Sequence, residues 1–541
     1  MVTLVASLAT FASACATPVS TSSPAVVSDQ PPEPGGTLRF GVLDAPANLD
    51  PQSGSTYPES IITSNIADRL TYQDPESGEI RPWLASSWDY NADLTHFTFQ
   101  LHEGVTFNDG TAFDAEVVKE NFDILGLGDA GLGVPPQAAF WGGYVGTEVL
   151  GSNSVGVTFN RPNAGFLQAL SHYFSGIVGE KTLALSKTER SRPENIVTTG
   201  PFTISEHVFQ EKTVLTKRPD YNWPPARSEH TGAAYLDKVE IRVVPEAGVR
   251  AGSLQTGDLD AILDVNPTDE QRLASQGFQI VSQLIPGRDL SFDFNTTLAP
   301  TNDVAVRRAV NLGWNREALE KTVLSDSYAA STSTISSRVP GYKDFSGSAL
   351  SFDADHARRI LDDAGWKVRG SDGIREKDGQ SLTIKLLGVN NLVNNKPSFE
   401  LVQQDLRKIG IDLQLTLVPI PDFTAQAKTG TYNVQVSSTS RDDPSVIEQA
   451  YSPKFSNFAN LNPSDPLYNQ AVDVLSEISR TLDPTQRTVA VERAQDFVLN
   501  TAALTAPIYN NAQVTAASTK VHNITYEAQS RNSFYSLWIA R

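Results

Sequence analysis

A single cysteine, Cys15, is the feature that most constrains how this 541-residue chain can fold. One thiol cannot close a disulfide within the chain, and it excludes a cysteine cluster for zinc or for an iron–sulfur centre. Stability must therefore come from buried apolar surface, and a chain of this length exceeds what one hydrophobic core holds together. Hydrophobic residues make up 40% of the chain and charged residues 19%, as in folded proteins. We expect several lobes.

The net charge limits the possible partners. The chain carries 62 acidic and 43 basic residues, which gives a net charge of −19. Such a charge repels a phosphate backbone and an anionic bilayer surface. Nucleic acid is therefore excluded as a partner.

The cysteine follows a short apolar segment, residues 2–14, that ends in the small residues Ala12, Ser13 and Ala14. The segment is much shorter than the ~20 residues of a membrane-spanning helix. We interpret residues 1–14 as a lipoprotein signal peptide and Cys15 as the lipidated residue. Ala12 stands where Leu is usual and no Lys or Arg precedes the segment, so an ordinary secretory signal with an incidental cysteine stays open. Residues 15–35 are rich in Ser, Thr and Pro and are predicted to form a tether.

Helix and strand patterns are mixed along the rest of the chain. Alternating apolar residues predict strands, and capping residues mark helix ends. The predicted features are strands through Leu38, Phe40 and Val42, through Phe97, Phe99 and Leu101, and through Leu382, Ile384 and Leu386, a helix starting after Asp114, a helix between Asp353 and Gly365, and a hairpin turn at Asp378 and Gly379. The pattern indicates an α/β protein.

Enzyme motifs do not fit this chain. The segment GLGDAG at 126–131 has the glycine spacing of a dinucleotide loop, but Pro135 and Pro136 follow where a helix should begin. The sequence has no P-loop, no G-x-S-x-G and no H-E-x-x-H, and its seven histidines are scattered. We expect no catalytic residue, no cofactor and no metal site. An enzyme with unrecognised site chemistry is the disfavoured alternative.

Several segments, taken in order, resemble one family. They run from about Gly35 to the C-terminus and are RPWLASSWDYNADLTHFTFQLHEGVTFNDGTAFDAEVVKENF, TGPFTISEHV, KRPDYN, RAGSLQTGDLDAI, NDVAVRRAVNLGWNREAL, FDADHARRILDDAGW, GIREKDGQ and DPTQRTVAVERAQDFV. In this order they resemble the bacterial extracellular solute-binding proteins of family 5, the dipeptide, oligopeptide and nickel type.

The resemblance implies a fold. It predicts a two-lobed, periplasmic-binding-protein-like clamp of type II, in the large form with an extra subdomain in lobe I. Lobe I would cover 36–289 with the subdomain at about 82–198, lobe II 290–507, and 508–541 would return to lobe I. The chain would cross between the lobes near 290–295 and 506–512.

The resemblance also implies a function. The chain would be an extracytoplasmic lipoprotein, anchored to the cell membrane, that captures a small solute, foremost a short peptide, between its lobes. It would act as a monomer and deliver the solute to the permease and ATPase subunits of an ABC importer. The alternative is a nickel chelate or another non-peptide solute.

Candidate site residues lie in TYNVQVSSTSRDDPSV, where the family carries the carboxylate that pairs with a peptide's α-amino group. Counting forward from Tyr432 places Asp442 there, and counting back from Asp443 places Ser440 there. We favour Asp442, because a serine cannot offset the desolvation of an ammonium. Arg441 is a candidate for an acidic group of the ligand, because Arg binds a carboxylate through two hydrogen bonds.

Three aromatic residues are further candidates. Tyr57, Trp141 and Tyr144 stand in loops rich in Gly, Ser or Pro, where packing gives little reason for a large ring. We expect them to form aromatic walls around the ligand.

Overall fold

A computed structural model of the chain describes residues 31–53, 56–137, 141–368, 371–390, 392–455, 461, 463–481 and 483–541. Cys15 and the signal and tether segments up to residue 30 lie outside the described residues. The described part is α/β and contains two large mixed sheets and a smaller antiparallel one. None of its helices combines the length and the apolar character needed to cross a bilayer.

Twenty-six strands are described. In chain order they are β1 (Thr37–Val42), β2 (Thr71–Gln73), β3 (Ile80–Pro82), β4 (Ala85–Tyr90), β5 (His96–Leu101), β6 (Tyr144–Gly151), β7 (Ser154–Phe159), β8 (Phe202–Val208), β9 (Lys212–Lys217), β10 (Lys238–Val243), β11 (Ala261–Leu263), β12 (Gln279–Leu284), β13 (Gly287–Phe294), β14 (Ala329–Ala330), β15 (Lys367–Val368), β16 (Arg375–Lys377), β17 (Gln380–Ser381), β18 (Thr383–Val389), β19 (Asp412–Val418), β20 (Val434–Ser440), β21 (Thr505–Asn510), β22 (Ala512–Ala517), β23 (Val521–His522), β24 (Thr525–Tyr526), β25 (Asn532–Ser533) and β26 (Trp538–Ile539).

Helices connect most of these strands. The α-helices are α1 (Tyr57–Ile66), α2 (Ala115–Leu127), α3 (Phe166–Ala169), α4 (Glu180–Leu183), α5 (Lys187–Arg190), α6 (Ala247–Thr256), α7 (Pro267–Ser275), α8 (Val304–Leu312), α9 (Arg316–Thr322), α10 (Ala354–Asp363), α11 (Asn395–Lys408), α12 (Ile420–Ala427), α13 (Ser445–Tyr451), α14 (Tyr468–Arg480) and α15 (Pro484–Asp496). A π-helical turn, Phe497–Thr501, continues α15.

Lobe I is built on a seven-stranded sheet in the order β12-β22-β11-β1-β10-β9-β8. Strand β1 pairs in parallel with β10 and β11, and β22 enters from the C-terminal end of the chain, antiparallel to β11 and β12. Leu38, Phe40 and Val42 are all buried, as their alternation predicted. Because strands from both ends of the chain share one sheet, neither end can form this core alone.

A subdomain extends lobe I. Its antiparallel sheet has the order β4-β5-β7-β6 and packs against α2. The side chain of Asp114 caps α2 by accepting from the backbone N–H groups of Glu116 and Val117, as predicted. Phe97 and Phe99 of β5 point into a core that also holds Phe166, with the ring centres of Phe97 and Phe166 4.9 Å apart.

Lobe II is built on a six-stranded sheet in the order β14-β21-β13-β20-β18-β19. Strands β18 and β19 are parallel, and α11 connects them in the manner of a βαβ unit. Helices α13, α14 and α15 form a second apolar core beside this sheet. The predicted helix cap at Asp353 and the hairpin at Asp378 and Gly379 are confirmed: Asp353 accepts from the N–H of His356 at 2.7 Å, and both turn residues have positive φ.

The chain passes between the two large sheets twice. The first passage, at 285–286, joins β12 to β13, and the second, at 511, joins β21 to β22. The backbone N–H of Ile285 donates to the carbonyl of Asn511 at 2.7 Å, so the two passages lie side by side. The lobe limits predicted at 289/290 and 507/508 lie within β13 and β21 of the lobe II sheet, not in the passages themselves. This arrangement is the predicted two-lobed clamp.

A buried ion pair joins the two ends of the chain in lobe I. The guanidinium of Arg69 donates to both carboxylate oxygens of Glu527, at 2.9 and 2.6 Å. The Arg69 side chain is only 1% exposed, and that of Glu527 is 11% exposed. Loss of one partner would leave a buried charge without its counter-ion.

We therefore expect Glu527→Gln to lower the free energy of unfolding by about 3–5 kcal/mol, the cost of breaking a buried pair. The control is Glu317→Gln, which removes a carboxylate paired with Lys321 where both side chains are 69% exposed. It should change stability by less than about 0.5 kcal/mol. Urea unfolding followed by circular dichroism measures both, and equal changes would contradict the role given to Arg69 and Glu527.

Candidate functional site

The C-terminal end of β20 lies at the junction of the two lobes. Ser440 is paired with Gly287 at the start of β13, and the backbone N–H of Arg441 donates to the carbonyl of Pro286 at 3.0 Å. Gly287 has a φ of +121°, a conformation that L side chains rarely adopt, and an added Cβ would lie 2.0 Å from the carbonyl oxygen of Thr439. Glycine at this position thus allows β20 to reach the passage between the lobes.

A buried network fixes the same strand end. Arg288 donates to both carboxylate oxygens of Asp293 at 2.7 and 2.8 Å, and it donates to the hydroxyl of Tyr451 at 2.9 Å. Ser437 of β20 donates to Asp293, and the hydroxyl of Thr505 in β21 also donates to it, at 2.8 Å. The network connects β13, β20, β21 and α13.

A cavity of about 140 Å³ lies beside this network, between the lobes. Tyr57, Arg288, Ser440, Gln513 and Arg531 contribute to its lining. Among the described residues, the hydroxyl of Ser440 and the amide oxygen of Gln513 are buried and have no hydrogen-bond partner. Buried polar atoms of this kind are uncommon and indicate a place for water or a ligand.

Arg531 is held between two tyrosine rings. Its guanidinium carbon lies 4.4 Å from the ring centre of Tyr57 and 4.8 Å from that of Tyr173. The hydroxyl of Tyr57 donates to the carbonyl of Ser530 at 2.8 Å. Tyr57 therefore positions Arg531, and both residues line the small cavity. Its role as an aromatic wall around a ligand stays a prediction.

Asp442 bridges the lobes. Its Oδ2 accepts from the side-chain amide of Gln529, which belongs to lobe I, at 2.6 Å. Its Oδ1 is buried and has no hydrogen-bond partner among the described residues. Burial raises the pKa of Asp442 to about 6, although the Gln529 hydrogen bond and the charges of Arg338 and Arg531 act in the opposite direction. In its ionised form, this carboxylate therefore has a hydrogen-bond partner on only one of its two oxygens.

A larger cavity of about 490 Å³ also lies at the β20 end, between the subdomain and helices α13 and α14. Arg441 lines it and is 3% exposed. Burial lowers the pKa of Arg441 to about 10. Thr439, near the end of β20, contributes to the lining of both cavities.

Comparisons with known proteins agree with this geometry. The family model described as "Bacterial extracellular solute-binding proteins, family 5 Middle" matches residues 79–460. The chain belongs to this family. It is a solute-binding protein of the kind that serves ABC importers, and it acts outside the cytoplasm.

Individual family 5 relatives differ in the solutes that they are named for. A nickel-binding periplasmic protein of Escherichia coli (strain K12) is 26% identical over 500 residues, covering 89% of this chain and 91% of the relative. A dipeptide-binding protein of the same strain is 24% identical over 490 residues, covering 85% and 86%. The structure of NikA from Brucella suis in complex with Fe(III)-EDTA is similar in fold, with a TM-score of 0.79 over 93% of this chain and all of that one, at 24% identity.

Two of the aromatic residues predicted for the site of this family 5 protein lie elsewhere. Trp141 is 1% exposed and Tyr144 is 7% exposed, and both belong to the core of the subdomain. The expectation that their loop lacked a packing role is wrong. The Tyr144 ring lies directly against Gly126 of α2, where an added Cβ would be 2.1 Å from the ring, and its hydroxyl donates to Asp123 at 2.6 Å. The absence of a side chain at Gly126 thus creates the space for the ring.

For several residues at the lobe junction, the sequence pattern gave no indication that they lie there. Gln529 and Arg531 approach Asp442 and Tyr57 from the C-terminal end of the chain, and no local pattern predicts such contacts. Tyr451 and Arg288 look like ordinary helix and strand residues. No group of three or more His, Cys, Asp or Glu side chains suited to a metal ion occurs in the part of the chain that the structure describes.

The glycine at the lobe junction gives a test of this geometry. We expect Gly287→Ala to destabilise the protein by more than about 1 kcal/mol, because the new methyl group meets the β20 backbone and the backbone is left strained. Gly252→Ala is the matched control, since Gly252 lies in α6 and an added Cβ there has no neighbour within 4 Å. The control should gain up to about 1 kcal/mol. Urea unfolding measures both, and a neutral Gly287→Ala would contradict the account.

Proposed function

We propose that this chain is the non-catalytic, solute-binding component of an ABC importer and that it captures short peptides by their free α-amino group. The observation that carries the proposal is the carboxylate of Asp442. It is buried between the lobes, one oxygen is held by Gln529, and the other has no partner among the described residues.

An ammonium group suits this carboxylate. A charge-assisted hydrogen bond to Oδ1 would offset the desolvation that raises the pKa of Asp442. Ser440, the other candidate for the amine site, offers only a neutral hydroxyl, which does not offset the desolvation of an ammonium. Ser440 lines the adjoining small cavity, where its hydroxyl is suited to a peptide backbone group instead.

The neighbouring residues complete a zwitterion site in this proposal. Arg441 would receive the carboxylate of the solute from the larger cavity, and Tyr57 would form one wall of the smaller one. The two passages between the lobes, at 285–286 and 511, would act as the hinge. Closure over the solute would be the state that the permease and ATPase subunits recognise. The protein would act as a monomer held near the membrane by a lipid on Cys15 through the tether of residues 15–35.

A second candidate is a nickel chelate or another non-peptide solute. The nickel-binding relative supports it, since that protein matches 89% of this chain. Equilibrium dialysis with nickel and a chelator separates this candidate from the peptide proposal.

The central prediction concerns Asp442→Asn. At pH 7 we expect at least a tenfold loss of affinity for a tripeptide, about 1.4 kcal/mol, together with a gain in stability of the empty protein. The gain follows because the pKa of Asp442 is raised in the folded state, so its ionisation costs stability as the pH rises through about 6. Affinity of the parent protein should fall as the pH is lowered through about 6, because the carboxyl group then becomes protonated.

Asp443→Asn is the matched control. The Asp443 carboxylate accepts two hydrogen bonds from Arg487, at 2.9 and 3.0 Å, so its loss should destabilise the protein. Calorimetric titration and thermal unfolding measure affinity and stability. If Asp442→Asn were less stable than the parent and bound the tripeptide equally well, Asp442 would be a structural residue and the amine assignment would be wrong.

The lipid anchor has its own test. In cells that process lipoproteins, we expect the mature protein to begin at Cys15, to incorporate radiolabelled palmitate and to fractionate with membranes. Cys15→Ser should abolish the labelling. Labelling that persists in Cys15→Ser, or a mature N-terminus beyond residue 15, would contradict the anchor.

A further inference from the structure

The larger cavity is rich in positive charge. Among the described residues, its lining includes four basic side chains, Arg161, Arg441, Lys454 and Arg480, and one acidic side chain, Glu448. Its walls come from the subdomain of lobe I, the end of β20 and helices α13 and α14. The chain as a whole has a net charge of −19, so the cavity differs in the sign of its charge from the molecule as a whole.

Three of these cations form no ion pair with a carboxylate among the described residues. Arg161 donates to the carbonyl of Gly142 at 3.2 Å and lies over the ring of Phe455. The ion pairs formed by the described residues include none with Arg161, Lys454 or Arg480. Arg441 is different, because the charge of the neighbouring Asp443 acts on it, although Asp443 also accepts from Arg487 and from the backbone N–H of Ser445, both at 2.9 Å.

Glu448 is the acidic side chain among the described residues that line the cavity. It is 6% exposed, accepts a hydrogen bond from Ser479, and has its pKa raised by burial. The charges of Arg161, Arg480 and Lys454 act on it in the opposite direction. Among the described residues of the lining, Glu448 thus faces Arg161, Lys454 and Arg480, so the cavity retains an excess of positive charge that a bound anion would balance.

We propose that this cavity is a subsite for an additional carboxylate of the solute and that the protein prefers acidic peptides, those with a Glu or Asp side chain. The proposal rests on the proposed function, since the peptide would be held by its amine at Asp442 and would reach the cavity past Thr439, which lines both cavities. Arginine pairs with carboxylates through two parallel hydrogen bonds. Arg161, Lys454 and Arg480 are exposed, so their attraction for an anion should weaken as the salt concentration rises. A net charge of −19 would otherwise repel such a solute.

The test compares two tripeptides of nearly equal shape, Ala-Glu-Ala and Ala-Gln-Ala, with citrate as a polycarboxylate that has no amine. We expect the parent protein to bind Ala-Glu-Ala at least tenfold more tightly than Ala-Gln-Ala. The double variant Arg161→Gln, Arg480→Gln should lose this preference and keep the affinity for Ala-Gln-Ala within about twofold. The control Arg358→Gln, Arg407→Gln removes two cations from the surface of α10 and α11 and should keep the preference.

Calorimetric titration at low and at moderate ionic strength measures these affinities, and thermal unfolding checks that the variants are folded. Equal affinity of the parent for the two tripeptides would overturn the subsite while leaving the amine proposal intact. Loss of the preference in the surface control as well would also overturn it, because the effect would then be long-range. If neither tripeptide bound but citrate bound and depended on Arg161 and Arg480, the carboxylate subsite would stand and the peptide proposal would fall.

Discussion

The ion pair between Arg288 and Asp293 lies where the two lobes meet, and both side chains are fully buried. Burying two charges is costly, and such a pair persists only when its remaining hydrogen-bonding groups are also satisfied. Here Tyr451, Ser437 and Thr505 complete the network and bring α13, β20 and β21 to the first strand of lobe II. The position of the β20 end, and of every residue that follows it, depends on this arrangement.

Asp442 lies a few residues beyond that network and contrasts with it. Asp293 has partners on both oxygens, whereas Asp442 has Gln529 on one oxygen and none of the described residues on the other. This contrast supports the binding role proposed for Asp442, since a functional site can give up stability for function. In the proposed mechanism, closure of the lobes would act on this carboxylate through its contact with Gln529.

Local sequence patterns predicted much of the fold because the interactions behind them are local. Asp114 and Asp353 cap helices through backbone groups two or three residues away, and the turn at Asp378 and Gly379 needs only its own backbone conformation. The site is different, because Gln529 reaches Asp442 across 87 residues and no periodicity records such a contact. Tyr144 shows the same limit in the opposite direction. Glycines close to it in the sequence indicated a loop, whereas Gly126, which is close to it in space, leaves room for its ring.

A crystal structure of the protein with a bound tripeptide tests the central claim most directly. The account predicts that the lobes enclose the intact peptide and that its ammonium nitrogen lies within hydrogen-bonding distance of Asp442 Oδ1, at about 2.7–2.9 Å. It also predicts that Gln529 keeps its bond to the other oxygen. A peptide bound elsewhere, with Asp442 facing only protein groups or water, would contradict the account.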